Sequence, residues 1–494
     1  MTDAEYAAWL ETPDAYRTIL LAVKVRRQGI EQTQRLSNTG YVSWPTDNPP
    51  NVIYSPYILG GMDYQASINL GGGSQVSFGD IQLNNEDGAL DSWLDDVWTN
   101  GNAQAFLGDV RWPLADFKLI FNGVVGKVDP SAGRNIISLQ LRDKLQRLDM
   151  PITTQTLGGT GPNKDQIIPL AFGECHNITP LMVDEPTLTY QFHQSAAERV
   201  IEGRTQGIPY TTGATAQLSA GKYKIDKQPF GNVTLSVQGD STPTYANDVA
   251  ELVIRLTTRY GSNVNERFAL SDIDIPAMAA FRALNPQGVG LYVTDRGATV
   301  FQACEALASS IGARLVMNRL GQLILVKIAL PPVGTPRTVT EANMRPDSLH
   351  IAERIDVIPG AVLNFCKNWT IQENLSEGIP QDHRQLYSQE WLVAKSTDPA
   401  VATLHRIYDE PKPQDTLLLS RFDADNEAVR LKNLRVAQRH VYMFDGYAEL
   451  MFTEIGSPMI LKHWRFGLSE GKLGQVVYVA VNWFASRCKI GVLL

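Results

Sequence analysis

The sequence predicts an α+β protein, predominantly β, in which two strand-rich blocks flank a mixed α/β middle region. Three observations carry this expectation. At 494 residues the chain is longer than one hydrophobic core serves, so it divides into several domains. Hydrophobic residues make up 44% and charged residues 19%, which leaves enough apolar surface for more than one core. Alternating and continuous apolar runs dominate both ends of the chain, whereas helical spacing is confined to a few short stretches.

A short helical patch around Tyr6 to Leu10 opens the first block. The segments "RTILLAVKV" (17–25), "YQASINL" (64–70), "VSFGDIQL" (76–83), "FKLIFNGVVGKV" (117–128) and "NIISLQL" (135–141) then read as strands punctuated by Gly, Asn, Asp and Pro. One helix is expected to interrupt them. In "NNEDGALDSWLDDVWTNG" the residues Leu90, Trp93, Leu94, Val97 and Trp98 recur at helical spacing. Asn84 or Asn85 stands where an N-cap belongs, and Asn100-Gly101 where a helix stops. Such a helix would lay its apolar stripe on the sheet and turn Asp91, Asp95 and Asp96 outward.

The polar stretch "PITTQTLGGTGPNKDQ" (151–166) marks the first boundary, giving a first domain over 1–155. The middle region, 156–335, is β-rich over 167–240 and α+β over 241–330. Helical spacing appears in "YANDVAELVIRLTTRY" (245–260) and in "ATVFQACEALASSIGA" (298–313), where Val300, Cys304, Leu307, Ala308 and Ile311 share one face. A hairpin follows over 314–328, with its turn around Asn318 to Gln322. Beyond "PPVGTPR" (331–337) a second strand-rich block covers 336–494. Its strands are "AVLNFCKNWTI", "QLYSQEWLVA", "HVYMFDGYAELMFTEI", "PMILKHWRF", "QVVYVAVNWF" and "CKIGVLL", and its one helix is "DNEAVRLKNLRVAQRH" (425–440).

Several function classes recede on composition. The 44 Lys and Arg against 52 Asp and Glu give a net charge of −8, the wrong sign for a protein that holds nucleic acid by its phosphates. No run approaches the roughly 20 apolar residues of a membrane span. The opening "MTDAEYAAWLETPDAY" has neither a basic nor an apolar leader segment, so the chain is expected to fold in the cytoplasm. Cys175, Cys304, Cys366 and Cys488 lie far apart, without a CxxC, and in that compartment they are expected to be reduced.

The sharpest chemical candidate is the adjacent Cys175–His176 pair in "IIPLAFGECHNITPLMVD" (167–184). Neighbours on a strand point to opposite faces, so these two cannot act as nucleophile and base on each other; His193 is the nearest other histidine. A lone Cys-His without a second cluster does not make a zinc site, and a buried structural cysteine is the expected reading. Gly71–Gly73 and "GGTGPNKD" (158–165) lack the GK[ST] of a phosphate loop, since Asp165 follows Lys164. The acids of 86–96 lack the alternation of a calcium loop. Sequons occur at Asn177, Asn232 and Asn368 without meaning in an unexported chain, and the nine tryptophans are spread as core and interface anchors. No catalytic, cofactor-binding or metal-ligating residue is therefore assigned.

Taken in order, four groups of segments resemble bacteriophage tail-tip baseplate hub proteins of long-tailed phages and prophages. They are "GDIQLNNEDGALDSWLDDVWTNG…GDVRWPLADFKLIFNGVVGKV…ISLQLRDKLQRLDMPI", the block around Phe172-Gly173 with Asn177 and Pro180, "YKIDKQPFGNVTLSVQGD" with "VGLYVTDRGATVFQACEALASSIGARLVMNRLGQLILVKI", and the closing "LGQVVYVAVNWFASRCKIGVLL". The resemblance runs from about residue 15 to Leu494, with one departure at Gly456-Ser457-Pro458, where an acidic turn would be expected. It implies two tail-tube-like β-domains in a non-enzymatic, trimeric ring of the virion tail. The implied partners are the distal tail protein, the tape measure protein and fibre or central spike proteins, with DNA passing the lumen unbound. A hexameric distal tail protein, a cell-wall-degrading enzyme and a receptor-binding protein are the alternatives.

Overall fold

The strand Arg17–Arg27 shows how the first sheet is set. Its Thr18–Leu21 run is buried without alternation, so it occupies an interior place between Ile30–Ser37 and Asn102–Asp109. The computed structural model, which describes residues 2–12, 14–61, 63–70, 74–130 and 133–494, extends this sheet to seven antiparallel strands. Their order is 30–37, 17–27, 102–109, 118–129, 136–142, 80–84 and 58–60. The helix Asp3–Glu11 is closed by a capping box between Thr2 and Glu5, and it buries Tyr6 and Leu10. Gly71–Gly73 lie outside the described residues.

A second sheet, of eight strands, joins distant parts of the chain. The long strand Leu468–Asn482 pairs with Pro458–His463 along its first half and with Asp63–Ile68 along its second. On its other edge lie Arg487–Leu493, Arg439–Gly446 and His350–Ile355 in turn. Residues from both expected end blocks thus meet in one compact unit, made of Met1–Arg147, Val316–Ile355 and Arg439–Leu494.

The other unit comprises Leu148–Leu315 and Asp356–Gln438. Its five-stranded sheet runs 208–209, 197–205, 233–240, 170–178, 290–293, beside sheets of four and three strands. The helix Val249–Arg259 is capped by Asp248, and Val300–Ser310 by a Thr299–Gln302 capping box. All five residues expected on the face of the second helix are buried. The fold is mostly β and multi-domain, as the sequence predicts.

Four local expectations need correction. Residues 85–99 are not an α-helix: only Asp91–Asp95 coil, as one 3-10 turn. Trp93 and Trp98 are buried, but Leu94 and Val97 are 45% and 60% exposed. Side chains and a strand pairing outcompete the helix. The Asn85 amide accepts from Leu90 N–H at 2.8 Å and donates to Asp91 at 2.7 Å, Gly88 takes a positive φ, and Val97 pairs with Arg26. Residues 385–394 are not one strand, because the helix Gln381–Ser388 precedes the strand Leu392–Thr397. The strand expected over 440–455 stops at Gly446. The last helix runs Arg421–Arg435, so His440 already lies in the following strand.

Since Asn85 is buried and closes this turn with two hydrogen bonds, Asn85→Ala is expected to destabilise the protein by about 1–2 kcal/mol. Helical circular dichroism should not change. Urea denaturation together with far-ultraviolet spectra checks both, and a loss of helical signal would contradict the turn.

Candidate functional site

Leu170–Ile178 changes partners halfway along its length. Leu170–Gly173 pairs with Gly290–Val293, and Glu174 and Cys175 pair with Gln238 and Val237. At the change the backbones are too close for side chains. Gly173 has φ +64°, and a Cβ there would sit 2.0 Å from the Val289 carbonyl oxygen. A Cβ on Gly290 would lie 1.7 Å from that of Glu174. The Phe-Gly of the sequence motif is thus a backbone requirement.

Cys175 and His176 are not brought together. Cys175 is fully buried and its Sγ donates to the Phe172 carbonyl at 3.6 Å; burial pushes the thiol pKa well up, away from the reactive thiolate. His176 is partly exposed, with Nε2 3.3 Å from Glu174 Oε1. That contact is the main reason the Glu174 carboxyl is held below its usual pKa; burial opposes it, and a 2.8 Å bond from Gln238 adds to it.

His193, the other histidine considered, lies in a polar cluster that the sequence reading did not assemble. It is fully buried, with Ser195 Oγ 3.3 Å and Asp240 Oδ1 3.9 Å from Nε2. Ser, His and Asp are therefore neighbours, but not in hydrolytic order. A hydrolase triad uses opposite ring nitrogens for the serine and the carboxylate. Here both face Nε2, while Nδ1 accepts the Ala171 N–H at 3.1 Å. That bond assigns the ring hydrogen to Nε2, which then cannot take a proton from Ser195. Burial lowers the imidazole pKa to about 4, with Asp240 opposing and Arg255 reinforcing the shift, so the ring is neutral near pH 7.

Arg255 is buried with it, donating to the Asp240 carbonyl (2.9 Å) and the Thr244 carbonyl (2.6 Å), with Asp240 Oδ2 at 3.5 Å. The available signal was an arginine three residues beyond Leu252, on the apolar stripe of its helix. Phe172 meets the His193 and Tyr260 rings edge-on.

Two of the sequons are joined. Asn177 (φ +54°) donates to Asn368 Oδ1 and to the Thr370 carbonyl, both at 2.6 Å, and accepts from Gln372 at 2.8 Å. Asn368 in turn donates to the Tyr387 and Gln389 carbonyls at 3.0 and 2.9 Å. The threonines at the third sequon positions, Thr179 and Thr370, lie 2.8 Å apart. The network consumes these amides in fastening 366–390 to the sheet.

Residues 158–165 form a turn with no helix after Lys164. The four cysteines are free thiols, with Cys175, Cys304 and Cys488 buried. Among the described residues no group of three or more His, Cys, Asp or Glu could hold a metal ion, and no helix is long and apolar enough to cross a membrane. Trp93, Trp98 and Trp483 are buried, whereas Trp44 and Trp464 are 44% and 71% exposed.

His193 titrates near pH 4 when folded and near 6.5 when unfolded, so the unfolded chain binds the extra proton. Its contribution is complete above pH 6.5 and falls away as pH drops toward 4, by about 3 kcal/mol over that window. The difference between wild type and His193→Gln in urea denaturation should shrink accordingly; a constant difference would contradict a neutral, buried ring. For the sequon network, Asn177→Ala and Asn368→Ala should each cost about 2–3 kcal/mol, with a coupling of at least about 0.5 kcal/mol in a double-mutant cycle.

No family model matches the sequence, and no curated protein matches it. In fold the chain is similar to solved phage and prophage tail proteins. One is the 43 kDa tail protein of prophage MuSo2 from Shewanella oneidensis, at 10% identity and a TM-score of 0.40 over 96% of each chain. Another is the tail protein from Neisseria meningitidis MC58, at 10% identity and a TM-score of 0.37, again over 96% of each chain. A chain from the virion of a native gene transfer agent particle is similar over 71% of this chain and 91% of that one, at 10% identity and a TM-score of 0.41.

Proposed function

We propose that the protein is a structural component of a phage virion tail, a baseplate hub that forms a trimeric ring continuing the tail tube. The observation that carries this reading is the ordered series of segments, from about residue 15 to Leu494, that resembles tail-tip hub proteins. Chemistry supports it indirectly, because the residues of the Phe172–Pro180 block are engaged in packing and backbone geometry. Its cysteine is buried, its glycine answers a close approach, and its asparagine is bonded on both sides of the amide.

The role assigns physical tasks to the chain. A ring that continues a tube needs sheets stiff enough to hold a bore, and the first unit offers sheets of seven and eight strands. DNA must pass without sticking, which suits a net charge of −8. On the most basic helix, Arg430 Nε donates to Glu427 at 2.8 Å and Arg421 Nε to Asp425 at 2.9 Å, which leaves less free positive charge there. The expected neighbours are the distal tail protein, the tape measure protein and fibre or spike proteins.

Deleting the gene should leave particles with defective tails that do not infect. An electron-microscopy reconstruction of the tail tip should show three copies. Six copies would transfer the chain to the distal-tail role, and normal tails in the deletion would overturn the structural reading. Cys175→Ser should cost about 1–3 kcal/mol, because the buried hydroxyl replaces a softer group, while assembled particles stay infectious. Lost infectivity with normal assembly would reopen a reactive thiol.

A further inference from the structure

We propose that a cleft in the first unit binds a carboxylate, carried either by an acidic side chain of a peptide or by a free organic acid. The inference does not rest on the tail reading. The cleft measures about 680 Å³, inside the roughly 300–1,000 Å³ span of ligand pockets. Arg17 and Arg345 line it from distant parts of the chain. Among the described residues neither guanidinium has a carboxylate partner.

Among the described residues Arg17 donates only to the Leu10 and Thr12 carbonyls, at 2.5 and 3.4 Å. Arg345 lies over the Tyr447 ring, 5.7 Å from its centroid, and among the described residues its side chain makes no hydrogen bond. Each has an Nε–H that is buried without a partner. Two guanidinium groups are thus incompletely satisfied on one cleft, and a planar, bidentate acceptor is what such a fork is shaped to take.

The acids of the lining do not fill that role. Glu449 is already engaged, accepting from Asn343 of the same lining and facing Arg337 Nη2 at 3.8 Å, and Glu11 is exposed. Their presence selects the ligand. Two arginines against two glutamates leave no net charge on the lining, so recognition rests on the shape of the guanidinium forks, and a planar carboxylate matches a fork better than a tetrahedral phosphate. An anion drawing Arg345 off the Tyr447 ring would exchange a cation–π contact for charge-assisted hydrogen bonds, the stronger of the two.

The experiment titrates the full-length protein by calorimetry with a capped hexapeptide bearing one central Glu, its Gln counterpart, succinate and inorganic phosphate. The Glu peptide or succinate should bind, and Arg345→Gln should weaken that binding at least about tenfold, the loss of one charge-assisted bond. Arg345→Lys, which keeps the charge but not the fork, should be intermediate, and unchanged thermal melting verifies that both variants fold. Binding by the Glu peptide alone assigns a protein segment as ligand; binding by succinate alone assigns a free acid. Equal binding of the Glu and Gln peptides without succinate binding, tighter binding of phosphate, undiminished binding by folded Arg345→Gln, or no binding at millimolar concentration would each overturn the proposal.

Discussion

Burial of the Arg255 guanidinium is the constraint around which the second unit is arranged. An arginine sunk among apolar residues is tolerated only when its charge and N–H groups are met, because an uncompensated buried charge costs several kcal/mol. The acceptors come from outside its own helix, from Asp240 at the end of a sheet strand and from the Thr244 carbonyl after it. The Val249–Arg259 helix therefore has one orientation against the sheet that gives both terminal nitrogens their acceptors, with Nε alone left without a partner among the described residues. His193 is drawn into the same arrangement as a neutral ring, its Nδ1 tied to Ala171. Such a network adds little net stability over an apolar core, but it penalises every alternative packing in which one member is left alone.

The same strand carries the tightest backbone approach. Ala171 donates to His193, and the next two residues are the Phe-Gly at which the strand exchanges partners. Gly173 and Gly290 face each other in register, each too close to a carbonyl for a Cβ. Beyond them the positive φ of Asn177 opens a bulge that turns its amide toward Asn368. A motif that reads as chemistry, with a cysteine, a histidine and an asparagine within three residues, is accounted for by packing, a contact with Glu174 and the anchoring of 366–390.

Legibility in the sequence followed the range of the interactions. The helices 249–259 and 300–310 were readable because an Asp or Thr cap precedes a regular apolar stripe, both local signals. The helix Ile275–Leu284 is not among the expected elements, although Asp274 caps it and Pro276 stands in its first turn, because the apolar spacing over 270–285 is short. Strand Ile30–Ser37 escaped because it is an exposed edge rich in Glu, Gln and Arg, without alternation. At 85–99 the apolar spacing was helical, yet Asn85, Gly88 and the pairing with Arg26 decided the backbone. The Ser195–His193–Asp240–Arg255 cluster lay beyond sequence reasoning, because its members come together only when a sheet and a helix have packed.

The least legible feature is the most consequential for the first unit. Strand Leu468–Asn482 finds Asp63–Ile68 across some four hundred residues, so the second sheet closes only after most of the chain has been made. The first sheet ends in an edge at Ile30–Ser37, and an unpaired edge invites association with other chains. The sequence counters this with charge: Glu31 pairs with Lys24 at 2.6 Å, and Arg35 lies further along the same strand. The second sheet ends likewise, in the exposed strand His350–Ile355 with Glu353 and Arg354. Charged edges leave the backbone groups available but raise the cost of indiscriminate pairing, which falls only for a partner of complementary charge. A chain that closes its sheets late gains more from such edges than one whose strands pair as they emerge.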